Sequence, residues 1–189
     1  MSIVVLLAAG KSTRTSQIKQ LYISEGEYLI NKQINILLSY GYEVAVVLGH
    51  RYEYIKSILN QNVKTVHNNK YELGMFSSVK KAFEELESDR LIFCHIDRPI
   101  ISKEIFEKLI KSENEIATTF FDSKKAPPIM IKYSMKKEIL DSKHKRLDYW
   151  IESTGKAYHM EIDDERVHFN ANSDKKLKKY FGGKNNEFV

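Results

Sequence analysis

The chain carries one cysteine, three prolines, eight glycines and one tryptophan in 189 residues. A lone thiol, Cys94, closes no disulfide within the chain, so a reducing compartment is expected, and the cytoplasm is the natural location. Cys94 sits in an apolar run, 91–96, where a small buried side chain is expected and a nucleophile is not. No apolar stretch approaches the ~20 residues of a membrane-spanning helix, and the first residues lack the charged and apolar regions of a signal peptide. With so little proline and glycine there is no linker, no internal repeat and no break in composition before 182–186. One domain is therefore expected over 1–181, followed by a flexible tail over 182–189. The six histidines show no metal-ligand spacing, and His-Glu-x-x-His is absent. Trp150, with Leu147 and Ile151 beside it, reads as helix packing.

What is present is ordinary for a globular protein: 42% hydrophobic and 29% charged residues. The net charge of +5 favours an anionic partner. Nucleic acid is not expected, because the lysines are scattered and accompanied by acids, as at 136–145 and 174–179, the pattern of solvated helix faces. Strand and helix patterns alternate. Strands are predicted at 3–8, 43–48, 63–67, 91–96, 115–121, 129–133 and 157–162. Helices are predicted at 28–40, 52–59, 75–86, 102–111, 134–141, 146–154 and 174–180, with Ser102 and Ser173 as N-caps. Repeated strand–helix pairs imply a parallel or mostly parallel sheet covered on both faces, with ligands bound beyond the carboxyl ends of its strands.

The first such end is the most telling segment. The apolar run Ile3–Ala8 closes in Ala9 and Gly10, then opens into a loop bearing Lys11, Ser12, Arg14 and Lys19. Small residues admit a close backbone approach, successive N–H groups form an anion nest, and the cations suit a polyphosphate. It is not a Walker A loop, whose first glycine would fall at Val5, and not a G-x-G-x-x-G fingerprint, since the next glycine is Gly26. Three further segments sit at strand ends. His95-Ile96-Asp97-Arg98-Pro99 offers a carboxylate to a metal, or an acid that bonds neighbouring backbone. In 68–78, Gly74 precedes a helix start near Ser77 and Ser78, suited to an anion or to plain capping. Asn170 and Asn172 precede the last helix, as oxygen ligands or as caps.

Leu7-Ala8-Ala9-Gly10-x-Ser12-x-Arg14 followed by Lys19 resembles the signature loop of the MobA-like nucleotidyltransferases. These are molybdenum-cofactor cytidylyl- and guanylyltransferases and their relatives among nucleotide–sugar, nucleotide–polyol and choline-phosphate enzymes. Met-Gly, usual after the arginine, is Thr15-Ser16 here. The resemblance extends to the Asp-x-Pro at Asp97, to Gly74-Met75-x-Ser77-Ser78, and to the Asn-x-Asn step at 170–172. It implies a three-layer α/β/α sandwich with a mostly parallel, Rossmann-like sheet, and transfer of NMP from an NTP to a phosphorylated acceptor such as molybdopterin cofactor. It also implies Mg²⁺ held by Asp97 and Asn172, and a nucleotide pocket from Leu7, Ala8, Ala9, Gly10, Ser12, Arg14, Lys19, Gly74, Ser77 and Ser78. Arg14, Lys19 and Asp97 take the catalytic roles, while Lys11 is expected to face solvent. Leu-Ala-Ala-Gly, where the guanylyl branch reads Leu-Ala-Gly-Gly, points to CTP. A sugar phosphate, polyol phosphate or choline phosphate acceptor, or a non-catalytic nucleotide-binding module, are the alternatives. Two segments depart from the resemblance: the usual Gly-His-Pro reads Ala126-Pro127-Pro128, and a Gly-Asp-x-Gly loop has no counterpart around 146–150.

Overall fold

A computed structural model describes residues 1–60 and 63–182, so nearly all of the expected tail lies outside the described residues. The first strand, β1 (Ser2–Ala8), is buried from Ile3 onward and occupies an interior position, third from one edge, in a seven-stranded sheet. Its β-branched and aliphatic side chains alternate between two apolar layers, which is why the run reads as continuous rather than alternating. Val4, Leu6 and Ala8 join one cluster and Ile3, Val5 and Leu7 the other. Each fully buried Val, Leu or Ile contributes about 1.5–3 kcal/mol of transfer free energy, so β1 alone anchors both layers.

The remaining strands are β2 (Ile23–Ser24), β3 (Glu27–Tyr28), β4 (Glu43–Leu48), β5 (Lys64–His67), β6 (Arg90–His95), β7 (Ile116–Phe121), β8 (Lys124–Lys132) and β9 (Ala157–Glu161). The order across the sheet is β5-β4-β1-β6-β8-β7-β9, while β2 and β3 form a separate small hairpin. All neighbours in the large sheet are parallel except the two pairings of β8. Helices α1 (Leu29–Ser39), α2 (Tyr52–Ser57), α4 (Lys103–Lys111) and α7 (Asp174–Phe181) place their apolar faces in the first cluster. Helices α3 (Met75–Glu85), α5 (Lys136–Asp141) and α6 (Leu147–Thr154) cover the other face, with Trp150 buried and stacked against Phe76. The result is the expected three-layer α/β/α arrangement around a mostly parallel sheet. Among the described residues no helix is long and apolar enough to cross a membrane.

Three differences from expectation have plain causes. β8 begins at Lys124 rather than near 129 because the strand runs through Pro127 and Pro128. Proline has no N–H for a ladder, and the register accordingly jumps, pairing Thr118 with Ile129 but Thr119 with Ala126. Ser102 does precede α4 but makes no capping side-chain bond, whereas the Ser173 hydroxyl accepts from the Lys176 N–H. The hairpin of β2 and β3 went unpredicted because two-residue strands carry no readable period.

Candidate active site

β1 and β6 are neighbours, with Leu7 opposite His95, so the loops leaving them open side by side at the carboxyl edge. The loop after β1 is pinned from beneath. The His50 N–H donates to the Ala9 carbonyl (3.0 Å), and the Ile96 N–H donates to that of Leu7 (3.2 Å). The buried Gln20 amide donates to the carbonyls of Ala8 and Gly10. Ser12 takes a positive φ of 57°, the kind of left-handed kink from which anion nests are built. Its hydroxyl accepts the Lys19 N–H (3.0 Å), so it shapes the loop. At the positions of the usual Met-Gly, the Thr15 hydroxyl donates to the carbonyls of Ser12 and Gln17, and the Ser16 N–H donates to the Asp174 carboxylate.

Four polar side chains from distant parts of the chain meet at the edge of this loop. The Lys19 ammonium donates to Asp97 Oδ2 and to Asn172 Oδ1, both at 2.9 Å. The Arg14 guanidinium donates to the same Asn172 oxygen at 2.9 Å. The Lys19 side chain is only 7% exposed and that of Asp97 21%. Burial alone pushes the Asp97 carboxyl up; the Lys19 ammonium, helped by His95 and Arg98, outweighs this and holds it below its ordinary value. Backbone contacts fix the geometry. The Ala171 N–H donates to the Asp97 carbonyl (2.8 Å), which brings Asn172 alongside, and the buried Gln33 amide clamps the carbonyls of Ile96 and Arg98. Asn170, the other amide of this step, has a buried Oδ1 with no partner among the described residues.

The opposite wall comes from the loop before α3. Buried Asn68 donates to the hydroxyls of Ser77 and Ser78 (both 2.9 Å) and accepts the Lys70 N–H. Gly74, at φ +97°, then turns the chain into α3, which starts at Met75 as the helix expected over 75–86 does, two residues ahead of Ser77. Between the walls lies a cleft of about 330 Å³. Leu7, Ala9, Gly10, Ser12, Arg14, Lys19, Gly74, Ser78 and Asp97 all line it. Ala8, Ser77 and Asn172 do not, although Asn172 Oδ1 bonds Lys19 and Arg14, which do. The Ala8 side chain points into the core, and the Ser77 hydroxyl donates to the carbonyls of Lys70 and Gly74. Lys11 is 44% exposed, but pairs with Glu72 instead of standing free.

Four contributors were not evident beforehand. Tyr71 and His95 line the cleft, and burial pushes the His95 imidazole down to about 4, so it is neutral near pH 7. Gln20 and Gly49 act from behind the loop. At Gly49 a Cβ would stand 2.7 Å from the Tyr71 ring and 2.8 Å from the Ala9 carbonyl, so only glycine lets β4, Tyr71 and the loop pack together. Gly49→Ala is expected to lower stability by about 1–3 kcal/mol through overpacking, read by denaturant unfolding, and to weaken anion binding through displacement of Ala9. An unchanged unfolding midpoint contradicts this account of Gly49.

The donor set fits a hard divalent cation. Asp97 Oδ2 and Asn172 Oδ1 already converge on one cation, the Lys19 ammonium. Among the described residues no group of three or more His, Cys, Asp or Glu could hold a metal ion. A magnesium-type ion suits this economy, because it keeps water and substrate phosphates in most of its shell.

The chain aligns with the molybdenum cofactor cytidylyltransferase of Escherichia coli at 28% identity, over 59% of this chain and 59% of that protein. It aligns with the bifunctional protein GlmU of Thermosipho africanus at 31% identity, over 60% of this chain. The aligned part spans a quarter of GlmU, 25%, and the 59% noted above of the Escherichia coli protein. In fold it matches a nucleotidyl transferase from Methanothermobacter with a TM-score of 0.83 at 17% identity, over 96% of each chain. The model of the MobA-like NTP transferase domain matches residues 4–157, a region that holds the loop after β1, Asp97 and the turn at Gly74. The chain belongs to the MobA-like NTP transferase family.

Proposed function

We propose that this nucleotidyltransferase moves CMP from CTP to the phosphate of a small acceptor such as molybdopterin cofactor, with Mg²⁺ as its cation. The observation that carries this reading is the meeting of Arg14, Lys19 and Asp97 on one cleft beside a small-residue loop, with Asn172 bonded to both cations from behind the lining. An acceptor phosphate oxygen forms a bond to the α-phosphorus while the bond between that phosphorus and the bridging oxygen breaks, and pyrophosphate leaves with the electron pair. Little covalent chemistry falls to the protein, whose work is alignment and charge stabilisation. In this reading the N–H groups of 9–12 cradle the phosphates. Arg14 stabilises the departing pyrophosphate, and Lys19 contacts the α-phosphate as charge builds. Asp97 and Asn172 would hold the Mg²⁺, which would supply Lewis-acid neutralisation of phosphate charge. Gly74 and Ser78 border the nucleotide.

The base preference rests on Ala9, a buried residue that borders the cleft. It fills space that glycine would leave to a purine, and a methyl-sized difference is worth about 1–3 kcal/mol. Competition binding of CTP, GTP, ATP and UTP with Mg²⁺ is expected to favour CTP, and Ala9→Gly to relax the choice toward purines. Preference for GTP in the unaltered protein overturns the cytidylyl assignment. Pyrophosphate release with added phosphorylated acceptors tests transfer itself.

A further inference from the structure

Two consecutive residues of the loop after β6 reach the segment that carries Asn172. The Asp97 carbonyl accepts the Ala171 N–H at 2.8 Å, and the Arg98 guanidinium donates to the Val167 carbonyl. Val167 lies in the short helical turn Glu165–His168, on the way from β9 at one edge of the sheet to α7. β8 and β7 separate β9 from β6, so Asn172 meets Asp97 only because this segment crosses back over the first apolar layer. Val167 and Ala171 are buried in that layer. Apolar burial holds the segment down but has no direction, whereas hydrogen bonds fix where along the sheet it lies. The Val167 carbonyl is the only hydrogen-bond partner of the Arg98 side chain among the described residues, and Arg98 Nε is buried with none. A guanidinium drawn out of water toward one carbonyl, with no hydrogen-bonded carboxylate, costs free energy that an apolar side chain would not. That cost is borne at the residue next to Asp97.

We propose that Arg98 is a positioning residue for the cation site: through the Val167 carbonyl it sets where Asn172 stands relative to Asp97. The proposal rests on the nucleotidyl-transfer reading above and adds a residue to it. Lys19 and Arg14 hold the Asn172 oxygen in the structure. In that reading both cations turn to the phosphates, and the amide loses its two side-chain partners. The bonds that then still tie this segment to the Asp97 loop are those of Ala171 and Arg98. A magnesium-type ion demands near-ideal octahedral geometry, so an amide ligand free to wander serves it poorly. The buried Gln33 amide donates to the carbonyls of Ile96 and Arg98, which fixes the backbone from which the guanidinium extends. Arg98 does not line the cleft, so its effect passes through Asn172.

The test uses the full chain and Arg98→Met, which removes the donors and keeps the stem. Hydrogen exchange at the Ala171 amide, followed by NMR without nucleotide or metal, is expected to quicken at least ten-fold. CTP affinity in EDTA should stay within two-fold, while the gain in CTP affinity conferred by Mg²⁺ falls about five-fold. Arg98→Lys keeps a donor and the charge and should restore most of both effects. Arg98→Gln, polar but shorter, should behave like Arg98→Met, and it decides the matter if Arg98→Met does not fold. Arg166→Met is the control: Arg166 lies on the same turn but pairs with Asp164, so both readouts should stay within two-fold. Unchanged Ala171 exchange or an unchanged Mg²⁺ gain in Arg98→Met and Arg98→Gln overturns the proposal, as does an equal effect in Arg166→Met. Failure of the nucleotide reading shows separately, as absence of CTP binding in the unaltered protein while the exchange difference between the variants remains.

Discussion

Asp97→Ala is expected to remove nearly all nucleotidyl transfer from a protein that still folds. Asp97 is the one carboxylate among the four side chains of this network, so its loss takes away the only acidic side chain lining the cleft among the described residues. Removing a preorganised electrostatic partner of this kind raises a barrier by about 3 kcal/mol or more. The fold is expected to survive, because the Lys19 ammonium keeps the Asn172 oxygen, and the Ala171 N–H bonds the backbone of residue 97 rather than its carboxylate. The measurements are turnover at saturating Mg²⁺ and the thermal midpoint of the same preparation. Turnover within about three-fold of the unaltered protein, under ~1 kcal/mol, removes Asp97 from the mechanism.

Lys19→Ala carries the second large effect, and its signature is different. Charge on the transferred phosphate grows toward the transition state, so the loss should fall on kcat more than on nucleotide affinity. Arg14→Ala should behave alike, and more mildly in stability, because Arg14 lies at the exposed end of the network. Lys19 is almost fully buried against Asp97, and its removal leaves that carboxylate without its cation. Removing one partner of a buried pair costs about 3–5 kcal/mol, and the partly exposed Asp97 places this one at the lower end. Raising the pH should not restore Lys19→Ala, whereas lowering it toward the ordinary carboxylate range should recover part of its stability. Lys19 is the strongest of the groups that hold the Asp97 carboxyl below its usual value against the upward push of burial, so its removal lets burial act. Lys11→Ala is the control, since the Lys11–Glu72 pair lies on the surface and off the cleft lining, and activity within two-fold is expected. If Lys11→Ala is the most damaged of the three, the roles given to the loop cations fall.

How much of this was readable in the chain follows from the range of the interactions. β1 was legible because six consecutive positions, Ile3–Ala8, write its double burial into local composition, and Asp97 because a strand pattern runs straight into it. The convergence of Arg14, Lys19 and Asn172 was not local: Arg14 and Asn172 are 158 positions apart, and only the sequence resemblance joined them beforehand. Gly49 and Gln20 left no signal at all, and Asn68 none beyond its place in the polar loop that opens 68–78. Their roles lie in a missing Cβ and in amide bonds to distant backbone, which no periodicity records. The start of β8 was hidden by Pro127 and Pro128, residues that argue against a strand everywhere except at an edge or an irregularity.

That irregular strand divides the molecule by how easily its loops can change length. β1, β4, β5 and β6 run in the same direction, so each link between them must cross a face of the sheet. β8 runs the other way and returns from β7 through Asp122 and Ser123, both at positive φ, at the same edge where the cleft opens. Residues inserted in that hairpin lengthen a surface tip without re-threading the sheet or disturbing the loop after β1. The β7–β8 side of the sheet can thereby change length at a surface tip, while the links between the parallel strands each have to cross a face of the sheet.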